Sequence, residues 1–188
     1  GRNPNNCPFF EVRIGHIMDN NEAEKSNLDR MPVSPRPQGG ALMPTVATIG
    51  FQRKPLSEFI ALLRQAGIEA VIDVRLRNTS QLAGYTKRDD LAFLLGEGFH
   101  IAYEHWPDLA PSDEILDQYR EDKDWNRYES RFTPLLAERQ AEAMGRELLS
   151  RYQKLCLLCA EPTADQCHRR LVAEYWARHL DDLTIVHL

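Results

Sequence analysis

The sequence predicts an α/β fold: a single three-layer αβα domain with a mostly parallel sheet of about five strands. Two observations predict it. Short apolar runs rich in β-branched residues recur along the chain, and the segments between them carry apolar residues at helical spacing. Strands that alternate with helices favour βαβ units, which form parallel sheets covered by helices on both faces.

The first 44 residues differ from the rest. They hold six of the eleven prolines and lack helical periodicity. We interpret residues 1–44 as a leader or linker, with one candidate strand at 9–14. Met18, Met31 and Met43 are alternative natural starts, so the segment is also interpreted as an extension ahead of the domain. The α/β domain is expected over residues 45–188.

Five strands are expected in this domain. They lie at residues 45–50, 69–74, 99–104, 154–160 and 183–188. Pro55 and Gly67 should bracket the first helix, because proline suits a first helical turn and glycine a helix end.

The remaining helices are predicted from their caps. Thr86 and Ser112 are expected to cap two of them. A helical segment follows from about Trp125 to Tyr152, and it should break or kink at Pro134, with Thr133 as a new cap. Residues 167–180 form the last expected helix.

Polar side chains follow the ends of the second and fourth strands. Ligands of open parallel sheets bind beyond the carboxyl ends of the strands, so functional side chains are expected there. The candidates are Asp73, Arg75, Asn78, Ser80, Cys159 and Glu161. Asp73 and Arg75 also suit a structural ion pair. Asn78 and Ser80 either belong to a solvated loop or bind a polar or anionic ligand.

Three of the four cysteines lie within residues 156–167. Cys156 and Cys159 are spaced like a zinc knuckle. Side chains three apart on a strand point to opposite faces, so Cys156 is expected in the core. Cys159 should end its strand, and Cys167 should begin a helix, where exposed N–H groups favour a thiolate. Either of these two thiols is a candidate nucleophile.

The last helix should direct His168 and Arg169 toward its apolar side, at about 100° per residue. A charge on that side is costly unless it is paired or binds an anion. Arg169 is therefore expected to pair with the carboxylate of Glu161 or Asp73, or to bind a phosphate or carboxylate of a ligand. His168 is a candidate acid or base, and a satisfied histidine at the edge of the core is the alternative.

Several motifs together resemble one known family. The segments CAEPTADQCHRRL, DVRLRNTSQLAGYTKRDDL, LAPSDEILDQYR and DWNRYESRF, with TIG at the first strand, are similar to domain-of-unknown-function family 488 over about residues 46–188. The resemblance implies a single α/β domain but no reaction. It implies a site at Asp73, Arg75, Cys159, Glu161, Cys167, His168 and Arg169. Many members carry a histidine after TIG, where this chain has Phe51.

Composition narrows the partners. The net charge is −5, and the chain shows neither a secretory leader nor an apolar run of membrane-spanning length. We therefore expect a cytoplasmic protein with a small anionic ligand, no membrane partner and no assigned cofactor. An acidic total argues against nucleic acid, although a basic cluster leaves it open. That cluster comprises Arg75, Arg77, Lys87 and Arg88.

The leading hypothesis is an enzyme, a hydrolase or group transferase acting on a small anionic or nucleotide-like ligand. Cys159 or Cys167 would be the nucleophile, and His168 or Glu161 the acid or base. Arg75 and Arg169 would hold the anion. The segment from Cys159 to Arg169 is too long for the C-x5-R loop of cysteine phosphatases, and it does not match a G-x4-G-K loop either.

Two other functions stay open. Cys159, Cys167 and His168 suit thiol redox chemistry or zinc binding. Adjacent Cys167 and His168 are expected to be hard to direct at one ion, so no metal ligand is assigned. A non-enzymatic binding module is the third hypothesis, and its aromatic patch would comprise Trp106, Trp125, Tyr128 and Phe132.

Overall fold

The computed structural model describes residues 43–188. Residues 1–42 of the expected leader or linker, with its expected strand at 9–14 and Cys7, lie outside these residues. Within the described part of the chain, no helix is both long and apolar enough to cross a membrane.

Five parallel strands form one sheet in the order β3-β2-β4-β1-β5. The strands are β1 (Thr45–Gly50), β2 (Ala70–Asp73), β3 (Ala102–His105), β4 (Lys154–Cys159) and β5 (Thr184–His187). The predicted α/β fold with a parallel sheet is confirmed. Gly50 at the end of β1 pairs with Cys159, and Asp73 at the end of β2 pairs with Leu158, so three strands end together at one edge of the sheet.

Helices cover both faces of the sheet. They are α1 (Leu56–Gln65), α2 (Arg88–Phe93), α3 (Asp113–Asp122), α4 (Trp125–Glu138), α5 (Ala141–Arg151) and α6 (His168–His179). Neighbouring residues of β2 alternate between two buried clusters. Val71 packs with Phe59 of α1, whereas Ile72 packs in the cluster that contains Trp176 of α6. This alternation is the period-2 pattern of a strand buried on both faces.

Close packing fixes the position of α6 against α5. Trp176 is fully buried, and its Nε1 donates to the carbonyl of Ala141 at 2.7 Å. A Cβ placed on Gly145 of α5 would lie 2.9 Å from the Trp176 ring. Glycine is therefore required at this helix contact.

Two of the predicted helix caps are wrong. The Thr86 hydroxyl donates to the carbonyl of Ala83 at 2.7 Å, and Lys87 occupies the N-cap of α2. Helix α4 continues through Pro134, so Thr133 caps nothing, and the break comes at Gln140 with a φ of 55°. Burial of Tyr128, Phe132 and Leu136 on one face of α4 keeps the helix continuous across the proline. The Ser112 cap is confirmed, because its Oγ accepts from the N–H of Ile115 at 3.3 Å.

The third strand begins later than predicted. A π-helical turn at Leu94–Gly98 extends α2, and strand pairing starts only at Ala102. Phe99, which the pattern placed in the strand, follows this turn instead. The polar loop after β2 also contains a 3₁₀ helix at Gln81–Thr86.

Candidate functional site

A cavity of about 580 Å³ opens at the edge where β1, β2 and β4 end. Its floor contains Cys159, Cys167 and His168, which are 4 %, 2 % and 8 % exposed. Four cationic side chains and one carboxylate also line it: Arg75, Arg77, Arg120, Lys123 and Glu161. The cavity therefore lies where the topology of an open parallel sheet predicts a ligand site.

Cys159 and His168 form a close pair on the cavity floor. Cys159 is the last residue of β4, and its Sγ lies 3.5 Å from Nδ1 of His168. The other ring nitrogen, Nε2, lies 2.8 Å from the carbonyl oxygen of Val74. A carbonyl only accepts hydrogen bonds, so Nε2 carries the hydrogen and the lone pair of Nδ1 faces the thiol in the neutral ring. A thiol, a base and an orienting group in this order are the parts of an activated nucleophile.

Cys167 and Arg169 lie immediately behind this pair. Nη1 of Arg169 donates to Sγ of Cys167 at 3.1 Å and to the main-chain carbonyl of Glu161 at 2.6 Å. Arg169 is 1 % exposed, and its Nε has no hydrogen-bond partner. Within residues 43–188 it makes no salt bridge with a carboxylate, so the predicted pairing with the carboxylate of Glu161 or Asp73 is wrong. The side-chain group that this buried guanidinium contacts is the sulfur of Cys167.

The two thiols differ in acidity. A hydrogen bond from Cys167 is the largest influence on the pKa of Cys159 and lowers it. Burial opposes this effect, but the N–H groups of Glu161 and Ala160 and the charge of Arg169 add to the lowering. The same hydrogen bond, burial and the charge on Cys159 raise the pKa of Cys167. Cys159 is therefore the more acidic of the two thiols, although the position of Cys167 at a helix N-terminus had favoured Cys167.

Cys167 and His168 face the same point although they are adjacent. Cys167 is the N-cap of α6 and has extended backbone angles, with φ −138° and ψ 135°, whereas His168 is the first helical residue. The chain turns between them, and one ligand atom from each of Cys159, Cys167 and His168 lies within 4.8 Å of the others. The expectation that these neighbours are hard to direct at one ion is therefore wrong.

Arg75 is held by a second buried network. Its Nε and Nη2 donate to the two carboxylate oxygens of Asp73 at 2.8 and 2.6 Å, and Nη2 also donates to the carbonyl of Thr86. Asn78 Nδ2 and the Tyr103 hydroxyl donate to the same carboxylate. Burial would raise the pKa of Asp73, but hydrogen bonds and charge from Arg75, with the other two donors, lower it overall. Asp73 thus forms the structural ion pair named among the alternatives.

The other predicted site residues are dispersed. Asn78 is buried against Asp73 and Tyr103 and does not line the cavity. Ser80 accepts from the N–H of Leu82 and caps the 3₁₀ helix, also away from the cavity. Glu161 lines the cavity as an exposed side chain.

The expected aromatic patch is divided. Trp125 and Tyr128 stack with ring centroids 4.9 Å apart, and both line the cavity. Phe132 is fully buried, and Trp106 donates to Glu104 outside the cavity. The spacing of three or four residues between the aromatic side chains of α4 therefore indicates mainly the face that packs against the core, and not a binding patch.

Sequence reasoning missed the contribution of α3 to the cavity. Tyr119 and Arg120 of α3 line it, and Lys123 follows at the C-cap. A tyrosine and two cations within five residues were the available signal. Similar groups occur on many solvated helix faces, so the signal alone does not identify a site.

Cys156 behaves as predicted. It is fully buried in β4, and burial raises the pKa of its thiol. Its side chain packs in the cluster with Phe59 of α1, and it does not line the cavity. It is therefore a matched control thiol.

Comparison with known proteins adds a family. The model of the family described as "Domain of unknown function DUF488" matches residues 55–176, which is more than half of the chain. No curated protein and no solved structure matches the chain. The matched range includes β2, β4 and the start of α6, and thus every residue on the cavity floor. The chain belongs to the domain-of-unknown-function family DUF488.

Proposed function

We propose that the protein is a small cytoplasmic enzyme, a hydrolase or group transferase, that binds a small anionic ligand in the cavity and uses Cys159 as its nucleophile. One observation carries the proposal. The Cys159 thiol and Nδ1 of His168 lie 3.5 Å apart on the floor of an open cavity, and the Val74 carbonyl orients the ring.

The chemistry follows from this arrangement. Sγ of Cys159 attacks an electrophilic acyl carbon or phosphorus, and the bond from that atom to the leaving group breaks. His168 takes the thiol proton at Nδ1 and returns it to the leaving group. Water, or a second acceptor, then cleaves the bond to sulfur and restores the thiol. We assign the base of that second step to the carboxylate of Glu161, which lines the cavity: it takes a proton from the attacking water or acceptor and passes it to the departing sulfur.

The charges around the cavity support an anionic ligand. Arg77 and Arg120 pair with Asp113 and Asp117 in exposed salt bridges, which contribute little and can exchange for a bound anion. Lys123 lies 5.5 Å from the centroid of the Tyr119 ring. Arg75 is committed to Asp73, so it offers less to a ligand than the sequence suggested.

The wall that α4 contributes supports a ligand with a planar part. Trp125 and Tyr128 present aromatic surface beside the cations. A nucleotide-like ligand combines these two properties, because its base is planar and its phosphate is anionic.

Selective alkylation tests the proposal. Metal-stripped, reduced protein is treated with iodoacetamide, which is neutral, or iodoacetate, which is anionic, and each modified cysteine is identified by mass spectrometry. We expect Cys159 to react first. The ratio of its iodoacetate rate to its iodoacetamide rate should exceed the same ratio for glutathione by about tenfold, since the cations concentrate an anionic reagent in the cavity.

Two controls accompany the experiment. Lys123→Ala should lower the rate with iodoacetate while leaving the rate with iodoacetamide unchanged, because the lysine contributes charge to the cavity. Cys156→Ser should change neither rate, since that thiol lies outside the cavity. A Cys159 that reacts no faster than Cys156, or that prefers the neutral reagent as glutathione does, rejects the proposal.

A further inference from the structure

The floor of the cavity has the geometry of a metal site. Ligand atoms of Cys159, Cys167 and His168 lie within 4.8 Å of one another, and Cys159 Sγ lies 3.5 Å from His168 Nδ1. In a tetrahedral zinc site, with Zn–S of about 2.3 Å and Zn–N of about 2.0–2.1 Å, a sulfur and a nitrogen ligand lie about 3.5 Å apart. We propose that these three residues bind one zinc ion, with its fourth coordination position open to the cavity.

The surroundings of the three donors match those of metal ligands. Nε2 of His168 donates to the Val74 carbonyl at 2.8 Å, which leaves Nδ1 as the coordinating atom. Metal-binding histidines almost always donate their second nitrogen in this way. Nη1 of Arg169 donates to Sγ of Cys167 at 3.1 Å. His168 and Cys167 are thus each oriented by a group that does not touch the ion.

The donor set selects the kind of ion. Two thiolates and one imidazole favour zinc and other thiophilic cations over magnesium or calcium, which require oxygen ligands. The thiols bind as thiolates and release their protons to solvent. Two thiolates balance the charge of the zinc ion, and Arg169 adds one positive charge behind Cys167. The open position therefore suits an anion, either hydroxide or a carboxylate or phosphate of the bound ligand.

This inference goes beyond the proposed function. Zinc would occupy the sulfur that the proposed nucleophile needs, so the metal-bound and the free-thiol states of the site exclude each other. In the metal-bound state the group at the open position, and not Cys159, would face a ligand in the cavity.

Metal titration of the full chain tests the inference. Reduced, chelator-treated protein is titrated with Zn²⁺ against a chromophoric chelator, and with Co²⁺ to record thiolate-to-cobalt charge transfer. We expect one ion per chain. Cys159→Ser, Cys167→Ser and His168→Gln should each weaken binding more than about a hundredfold, since loss of an orienting partner alone weakens it 10–100-fold. Cys156→Ser and Cys7→Ser are the controls and should bind like the wild type.

The contrary outcomes are equally definite. Folded wild-type protein that binds no stoichiometric ion overturns the inference, and so does undiminished binding in Cys159→Ser or Cys167→Ser. If those variants do not fold, zinc protection of Cys159 and Cys167 from alkylation in the wild type decides, and equal labelling with and without zinc counts against the site.

The two ideas fail separately. Protein that binds zinc through this site, but whose Cys159 resists alkylation after stripping, supports the metal site and rejects the nucleophile. Reactive Cys159 in protein that binds no zinc does the reverse.

Discussion

Nη1 of Arg169 donates to Sγ of Cys167 at 3.1 Å, and no carboxylate within residues 43–188 pairs with this buried guanidinium. A buried cation without an anionic partner is strongly unfavourable. The charge of Arg169 helps to lower the pKa of Cys159, so the guanidinium and a thiolate at Cys159 stabilise each other. Arg169 and the thiol pair therefore form one electrostatic unit.

Replacing Arg169 tests this unit. In Arg169→Met the positive charge that helps to lower the pKa of Cys159 is lost. The iodoacetamide rate at Cys159 in metal-free protein at neutral pH should fall, because a smaller fraction of Cys159 is then thiolate. Arg170→Met is the matched control, since Arg170 pairs with Glu174 and should leave the rate unchanged. Equal rates in wild type and Arg169→Met would show that the arginine does not stabilise the thiolate.

Loss of the Asp73 carboxylate should destabilise the whole fold. Asp73→Asn leaves the buried Arg75 without its bidentate partner, and breaking a buried ion pair costs about 3–5 kcal/mol. Urea unfolding measures this change. The matched control, Asp113→Asn, removes an exposed partner of Arg77 and should cost less than about 1 kcal/mol. A similar small loss in both variants would contradict a structural role for Asp73.

The same carboxylate predicts an acid-sensitive stability. The pKa of Asp73 is lower in the folded protein than its ordinary value, so its stabilising contribution is fully present above the unfolded-state pKa of about 3.9. That contribution is lost as the pH falls through the folded-state pKa. The unfolding free energy, measured in urea between about pH 5 and pH 2, should fall more steeply in the wild type than in Asp73→Asn. Parallel curves would contradict the lowered pKa.

Gly50 should tolerate no side chain. A Cβ at this position would lie 1.6 Å from the carbonyl oxygen of Glu161 and 3.0 Å from Nη1 of Arg169. Gly50→Ala therefore has to displace the loop after β4, at a cost of about 1–3 kcal/mol or more, and should slow alkylation of Cys159. Thermal unfolding and the iodoacetamide rate measure both effects. Gly96→Ala is the control, because no atom beyond its chain neighbours and its own helix backbone lies within 4 Å of its Cβ position, and it should be neutral or slightly stabilising.

The sequence predicts the sheet and the edge that carries the cavity better than it predicts contacts. Apolar runs locate β1 and β4 because a strand buried on both faces leaves a continuous apolar pattern. Parallel topology then brings the ends of β2 and β4 together, so Arg75 and Cys159 share an edge before any contact is known.

The sequence could not predict side-chain contacts that depend on how elements far apart in the chain pack together. Arg169 could pair with either of two carboxylates on pattern alone, yet it contacts a main-chain carbonyl and a sulfur. The arrangement of Cys167 and His168 depends on where α6 begins, and a shift of one residue would direct the two side chains apart. Pro134 misled the prediction because the buried face of α4 outweighs one missing hydrogen bond.

The close contact between Gly145 and Trp176 predicts where mutations outside the cavity would impair its function. Helix α6 carries both Trp176 and His168. A side chain at position 145 would therefore displace Trp176 and, with it, the helix that positions His168. Loss-of-function alleles should therefore arise on α5, which contributes no residue to the cavity lining. Second-site suppressors should replace Trp176 with a smaller residue, since Trp176 does not line the cavity.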